Sequence, residues 1–363
     1  MSDLDSETGG AVEVQPRAAH SGGGAILVAA GVFFSRIAGL IRDRVFAHFF
    51  GSSDAADAFK AAFRIPNFLQ NLFGEGTLSA SFIPVYARLL AEEREEDSGR
   101  VAGAVAAILS LVVALSVLAG VLLTPWLIAL IAPGFSGAKR ELTIQLVRIL
   151  FPGAGLLVLS SWCLGILNSH RKFFLSYAAP IGWNAVMIAA LVIWGPRQQQ
   201  FDLAPTIAWA SVAGSGLQLL VQLPMVLRLA KHLRIRIDLK MAEVRTVVKN
   251  FFPVFFGRGV IQISSYVDEL LASLLPTGAF AALSYAQTLY LLPVSLFGMS
   301  VSAAELPAMS SVVGDEKEIS GYLQKRLNSG LRRIAFFIIP SAIAFLALGD
   351  VVVAAIYQTG RFG

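Results

Sequence analysis

Residues Val105 to Ile131 read VAAILSLVVALSVLAGVLLTPWLIALI, an apolar run without a single charge. About 20 such residues cross a hydrocarbon core of about 30 Å as an α-helix. The other structure able to span a bilayer is a closed β-barrel, whose strands alternate apolar and polar residues. This run has no such alternation, so it reads as a transmembrane helix. Comparable runs recur along nearly the whole chain. Of 363 residues, 56% are hydrophobic and 15% charged, with a mean hydropathy of +0.68. Soluble domains carry roughly a quarter charged residues. The expected fold is therefore an all-α integral membrane protein.

Nine spans are expected, near 25–50, 55–88, 103–131, 141–167, 174–194, 204–227, 247–275, 280–308 and 331–357. The second is too long for one straight crossing, and Pro66, Gly74 and Gly76 offer places to bend. Residues 1–23 are acidic and rich in Gly and Ser, which predicts a disordered tail. No basic segment precedes the first apolar run and Arg36 interrupts it, so a cleaved signal peptide is not expected.

Basic residues are distributed unevenly between the connecting segments. Of the 29 lysines and arginines, 18 fall on the side of the tail and the segments near 88–100, 168–173, 228–249 and 309–333. Only Lys139, Arg140, Arg197 and Arg361 fall on the other. The basic-rich side, with the N-terminus, is expected in the cytoplasm.

An internal repeat is also legible. Pro66 and Pro293 lie 227 residues apart, as do Phe135 and Phe362, each pair at matching points of matching spans. This divides the chain into an N-lobe of six spans (24–229), a cytoplasmic linker (230–246) and a C-lobe of three spans (247–363). By that symmetry the second lobe is incomplete. Repeats of this kind place a transporter's cargo site at the interface of the halves.

Charges inside the spans point to the cargo. A basic residue at the centre of a spanning helix costs roughly 2.5–3.5 kcal/mol on insertion scales. The first two spans carry Arg36, Arg42, Arg44, Lys60 and Arg64 against three acids, Asp43, Asp57 and Glu75. Asp57, Lys60, Arg64, Asn67, Asn71 and Glu75 follow one another at intervals of 3, 4, 3, 4 and 4, which makes one polar stripe on a helix. Arg36 and Asp43 share a face of the first span, and Arg42 is turned away by about 120°. Structural pairing of Arg36 with Asp43, and of Lys60 or Arg64 with Asp57, is the plain alternative. It leaves surplus positive charge, which calls for a hydrated chamber and an anion. On span seven, Arg258 and the pair Asp268 and Glu269 either complete that chamber or bridge the lobes.

Other chemistries find little support. A lone Cys163 and four scattered histidines give no metal cluster, and no nucleophile elbow or Walker loop is present. Gly214-Ser215-Gly216 lies within an apolar span and fits close helix packing better. Neither an enzyme nor a cofactor is expected. Nor is a nucleic-acid partner, because the net charge of +5 reflects loop topology. Arg148 and Glu305 lie near span ends and should snorkel.

The stretch Ser35-Arg36-Ile37-Ala38-Gly39-Leu40-Ile41-Arg42-Asp43 resembles the bacterial lipid II flippase family (MurJ/MviN). Ala56-Asp57-Ala58-Phe59, Phe63-Arg64-Ile65-Pro66-Asn67, Phe73-Gly74-Glu75-Gly76 and Val267-Asp268 extend the resemblance. It implies alternating access between two lobes, a cytoplasmic-membrane location and lipid II, an undecaprenyl-pyrophosphate-linked muropeptide, as cargo. Membrane lipids are the surrounding partners, and coupling to membrane potential or to a monovalent cation stays open. The family has about fourteen spans, of which this chain resembles the first nine. Arg36, Arg42, Asp43, Asp57, Asn67 and Glu75 match family cavity or gate positions. The chain departs from the family at Gln70 and Asn71, where basic residues are usual, and at Gln287 and Thr288, where an Asp-Arg pair is usual. Lys60 and Arg258 stand at positions usually uncharged, and are expected to relocate the lost charge. The departures keep two alternatives alive: a flippase for another polyprenyl-linked oligosaccharide, and a non-transporting envelope scaffold.

Overall fold

A computed structural model describes residues 22–298, 301, 305, 309 and 316–362, so the expected tail at 1–23 lies outside the described residues except for Gly22 and Gly23, which begin the first helix. The elements are α1 (Gly22–Phe50), α2 (Asp54–Phe73), α3 (Glu75–Ser81), α4 (Ile83–Ala91), α5 (Glu95–Ile131), α6 (Gly137–Ser169), α7 (Phe173–Trp194), α8 (Gln200–Leu229), α9 (Ala242–Ser273), α10 (Ala279–Pro293) and α11 (Glu316–Tyr357). A π-helical turn, Val294–Gly298, prolongs α10. No β-strand occurs among the described residues; Thr359 and Phe362 form an isolated bridge.

Six of these helices, α5 to α8, α10 with its π turn, and Ile319–Tyr357, are long and apolar enough to cross a membrane. With Asp57, Lys60 and Arg64 along 20 residues, α2 is too charged to count among them.

The long second span is three helices. Ser53 starts α2 by accepting the Ala56 amide at 3.2 Å. Pro66 is accommodated inside α2, and the break falls at Gly74, whose ψ of −151° leaves the helical region. The freed carbonyl of Leu72 is taken up by the Thr77 hydroxyl at 2.7 Å. A second break at Phe82 precedes Pro84, which stands in the first turn of α4.

The N-lobe packs α1 on α7, α2 on α6 and α6 on α8. Apolar residues including Phe46, Phe50, Phe59, Leu146, Met187 and Ile207 form one cluster. Tyr86, Val101, Trp162 and Ile166 belong to another. Gly214 marks the close approach the sequence suggested: a Cβ there would stand 2.8 Å from Cδ1 of Trp183. Trp183 and Trp162 are buried, donating indole N–H groups to the carbonyls of Ser211 and Ala102. Trp126 and Trp209 are exposed.

The 227-residue offset reappears in space. The Gly134 amide, after α5, donates to Ser273 Oγ at the end of α9 at 3.4 Å. The Arg361 amide, 227 residues later, donates to the His48 carbonyl near the end of α1 at 2.9 Å. Phe135 packs on Phe280 of the second half, whereas Phe362 packs on Tyr285 and Tyr357 within its own half. At these two matching points each half thus sends a backbone amide to the other.

At the basic-rich end, Arg94 binds Glu92, Asp97 and Glu243, and Arg100 approaches Asp238. These pairs tie the start of α5 to the segment leading into α9. Donating hydrogen bonds to Asp97, Glu243 and Glu92 raises the Arg94 pKa above its ordinary value. Glu305 corrects the snorkelling expectation: it is buried and accepts from Arg326 at 3.0 Å and Arg333 at 3.3 Å.

Candidate functional site

Between the lobes lies a chamber of about 690 Å³. Arg36, Arg42 and Asp43 of α1 reach it, with Lys60, Arg64, Asn67 and Gln70 of α2. Ser160 and Ser161 of α6, Trp183 and Asn184 of α7, and Gln218 of α8 form the facing N-lobe wall. Gln287 and Thr288 of α10 close it from the C-lobe.

Asp43, 4% exposed, is the hub of the charged wall. Its Oδ1 takes Arg42 at 3.1 Å and Lys60 at 3.2 Å. Its Oδ2 accepts the Thr288 hydroxyl at 3.3 Å. Arg42 also donates to Asn184 Oδ1 at 3.1 Å and lies 4.9 Å over the Trp183 ring. The Lys60 ammonium sits between the Phe46 and Tyr285 rings. One carboxylate therefore serves two cations, which neither satisfies both charges nor leaves either facing lipid.

Arg64 points the other way. Its Nε meets Glu269 Oε1 of α9 at 2.7 Å, and its terminal nitrogen binds Gln287 Oε1. Arg36 lines the chamber, is exposed, and has no ion-pair partner among the described residues. The chamber cations are thus Arg36, Arg42, Lys60 and Arg64, and the carboxylates paired with them are Asp43 and Glu269.

The neutral wall is held by its own network. Gln218 Nε2 donates to Ser160 Oγ at 2.9 Å, and Ser160 in turn donates to Gln222 Oε1 at 2.6 Å. These side chains stitch α6 to α8, as polar groups do between membrane helices, and present Gln218 and Ser160 to the cavity.

Several expectations need correction. Asp57, 1% exposed, does not line the chamber and pairs with neither Lys60 nor Arg64. It accepts Lys139 at 2.6 Å and the amides of Gly278 and Ala281 at 2.8 and 2.7 Å, capping the N-terminus of α10. Thr277 adds a bond to Asp54, and the Tyr285 hydroxyl one to the Gly51 carbonyl. Together with the Gly134 and Arg361 contacts, these seal the lobes at the basic-poor end. Arg258 does not line the chamber either: it is exposed and lies over Gly76, where any side chain would stand. Arg36 is not paired with Asp43. Arg42, expected to turn away, reaches the same cavity because its long side chain sweeps across to α7. The side chain of Glu75 lies outside the described residues.

Sequence reasoning missed Asn184, Ser160 and Gln218. The available signal was one polar residue, or the Ser160-Ser161 pair, set in an apolar run, which helix packing alone also explains. Gln287 and Thr288 were noticed only as departures, yet both contact chamber charges directly.

Residues 46–363 match the family model described as lipid II flippase MurJ. A lipid II flippase MurJ of Burkholderia cenocepacia is 30% identical over 93% of this chain and 66% of its own length. A probable lipid II flippase MurJ of Rhizobium tropici is 32% identical over 93% of this chain and 63% of its own. The chain therefore spans a little under two thirds of the length of these relatives. A solved lipid II flippase MurJ in an inward closed conformation superposes with a TM-score of 0.74 at 30% identity, covering 93% of this chain and 68% of that one. An inward-facing multidrug transporter of the MATE family superposes at 0.69 with 16% identity, a likeness of fold alone. The transmembrane helices, the two-lobe repeat and the shared sequence agree: this chain belongs to the lipid II flippase MurJ family, a family of transporters.

Proposed function

We propose that this chain carries the cargo chamber of a flippase that moves lipid II across the bacterial cytoplasmic membrane by alternating access. The observation that carries the reading is the charge surplus. Four cations converge on the chamber with two carboxylates to meet them, and Arg36 has no ion-pair partner among the described residues. A pyrophosphate diester, with a charge on each phosphate, offsets that surplus through charge-assisted hydrogen bonds to Arg36 and Arg42.

Lys60 supplies the charge that Gln70 and Thr288 do not. Its ammonium and the Thr288 hydroxyl lie on the two oxygens of Asp43, so a cation arriving from α2 occupies the surroundings that a basic residue at 288 would enter from α10. The relocation idea keeps Lys60 and drops Arg258. Asn67 and Gln70 offer neutral donors beside the phosphates, and Ser160 and Gln218 face them across the cavity.

The distribution of basic residues supports a cytoplasmic N-terminus. The sealed end is then the outer one, and cargo enters from the cytoplasmic leaflet. Membrane potential suits such a cycle, since each charge moved across 100 mV is worth about 2.3 kcal/mol. The departures at Gln70 and Thr288 favour a second reading, another polyprenyl-linked glycan in the same chamber. Complementation of a flippase-depleted strain, with Arg36→Ala as the negative variant, tests the first. Growth of the Arg36→Ala strain at the rate of the parent would remove the chamber from the mechanism. Binding to polyprenyl pyrophosphates of defined glycan distinguishes the two cargoes.

A further inference from the structure

Glu269 is 2% exposed, and its two oxygens are unequal. Oε1 holds Arg64 at 2.7 Å. Oε2 is buried with no hydrogen-bond partner among the described residues. Such an atom is expensive to keep out of water, so the carboxylate depends on a single guanidinium. That guanidinium belongs to the other lobe: Arg64 is on α2, Glu269 on α9.

The charged and titratable neighbours are few. On α2, Lys60 is engaged with Asp43, and Asp57 with Lys139 of α6 and the α10 amides. From α10 the facing group is neutral Gln287. On α9 itself, Tyr266 donates its hydroxyl to the Arg64 carbonyl at 3.1 Å, and Asp268 is exposed and adds only negative charge. Arg258 lies three turns back, over Gly76. No second cation in this set stands ready to replace Arg64.

Alternating access moves α2 and α9 relative to one another. Once they part at this level, Glu269 would be a buried carboxylate without a counter-charge, a state far costlier than its protonated form. We propose that Glu269 is a proton-binding site whose protonation accompanies separation of α2 from α9. The carboxylate takes one proton from chamber water as Arg64 leaves, and returns it when the pair re-forms. This rests on the two-lobe transport reading for the motion itself, but not on the identity of the cargo. An anion that draws Arg64 away from Glu269 has the same effect, so loading of the chamber and proton uptake are linked.

The test is a pair of spin labels at Ala80 on α3 and Phe256 on α9, both exposed, on the full chain in lipid. The wild type should show a longer-distance population that grows as pH falls, its ratio to the short population changing up to tenfold per pH unit, as one proton dictates. Glu269→Gln, which mimics the protonated acid, should hold the long population at every pH. A carboxylic-acid infrared band rising at low pH in the wild type and missing from Glu269→Gln gives a second readout that a merely structural pair would not move. A wild type whose distances ignore pH, or a Glu269→Gln variant that keeps the wild-type response, overturns the inference. A protein that responds to pH but moves no lipid-linked pyrophosphate overturns the function and leaves Glu269 as assigned.

Discussion

Asp57 and Ala281, 224 residues apart in sequence, are joined by a 2.7 Å hydrogen bond from the Ala281 amide to Asp57 Oδ1. The acid stands at the start of a helix in one lobe and caps the start of a helix in the other. Its second oxygen holds both Lys139 and the Gly278 amide. Gly278 has φ of +90°, a left-handed conformation that suits glycine, and this turns its N–H toward the carboxylate. The seal between the lobes therefore joins a carboxylate, a lysine and a helix terminus to the apolar contact of Phe135 with Phe280.

Replacing Asp57 by Ala should accordingly break the seal rather than damage the chamber. Lys139 would be left largely buried with only Asp54, itself 44% exposed, as a partner. Removing one member of a buried pair costs roughly 3–5 kcal/mol. Asp57→Asn keeps an acceptor for the α10 amides and should lose less. Thermal unfolding in detergent should rank wild type above Asn above Ala. Maleimide labelling of a cysteine placed at Thr277 should be fastest in the Ala variant. Equal labelling of all three proteins would show that the contact does not govern access.

Lys60 is separable from the seal by a charge-swap experiment. Lys60→Met should weaken binding of a polyprenyl pyrophosphate by about tenfold or more, since a hydrogen bond to a charged group contributes about 1.5–3 kcal/mol. Thr288→Arg in that background should restore most of it, because residue 288 already reaches the free oxygen of Asp43. Isothermal titration with the purified protein measures both. Restoration by Thr288→Arg but not by Thr288→Leu would identify charge, rather than packing, as the lost quantity.

How much of this was legible follows from what helical periodicity encodes. A 3.6-residue period fixes which residues share a face, and Lys60, Arg64 and Asn67 do line one cavity. It does not fix what stands opposite. Asp57 lies on the same stripe, yet one turn nearer the helix start it meets α10 instead of the chamber. No local pattern announces a partner more than 200 residues away. Arg42 failed in the opposite sense: its backbone azimuth was read well enough, but a long guanidinium crosses to Asn184 and Trp183. Break positions were similarly half legible. Glycine and proline both marked the second span as bent, and the structure bends it at Gly74, while Pro66 stays inside the helix, buried beside Ile65.

Gly214 offers a test of how the N-lobe supports the chamber. A Cβ at this position would stand 2.8 Å from Trp183 Cδ1, so Gly214→Val must push the indole. Overpacking of this kind costs about 1–3 kcal/mol. Trp183 also carries the Arg42 guanidinium on its face, so the displacement should reach the anion site. Gly214→Val is expected to lower both the melting temperature and pyrophosphate affinity, whereas Gly216→Ala, with only Leu156 at 4.0 Å, should change neither. A destabilised Gly214→Val protein with unaltered affinity would separate the tryptophan from the chamber.

His170 gives a pH dependence that does not involve the chamber. It ends α6 at the basic-rich side, with Nε2 3.1 Å from the Tyr86 hydroxyl. Burial lowers its pKa from the ordinary 6.5, with Lys172 adding to the effect and Glu95 opposing it. The fold therefore prefers neutral imidazole, whose Nε2 shares a hydrogen bond with the Tyr86 hydroxyl. The unfolded chain binds a proton below pH 6.5 while the folded chain resists it. The contribution of His170 is thus present above about pH 6.5 and is lost as pH falls toward the lowered folded value. Melting temperatures recorded from pH 7.5 to pH 5 should fall more steeply for the wild type than for His170→Gln, and the two curves should run parallel above pH 7. Tyr86→Phe should destabilise the protein at neutral pH by about 1 kcal/mol, the net worth of a neutral hydrogen bond. It should leave a pH slope in place, because burial rather than the hydroxyl lowers the histidine's affinity for protons. A His170→Gln curve that tracks the wild type through the acid range would mean that the imidazole already sees water.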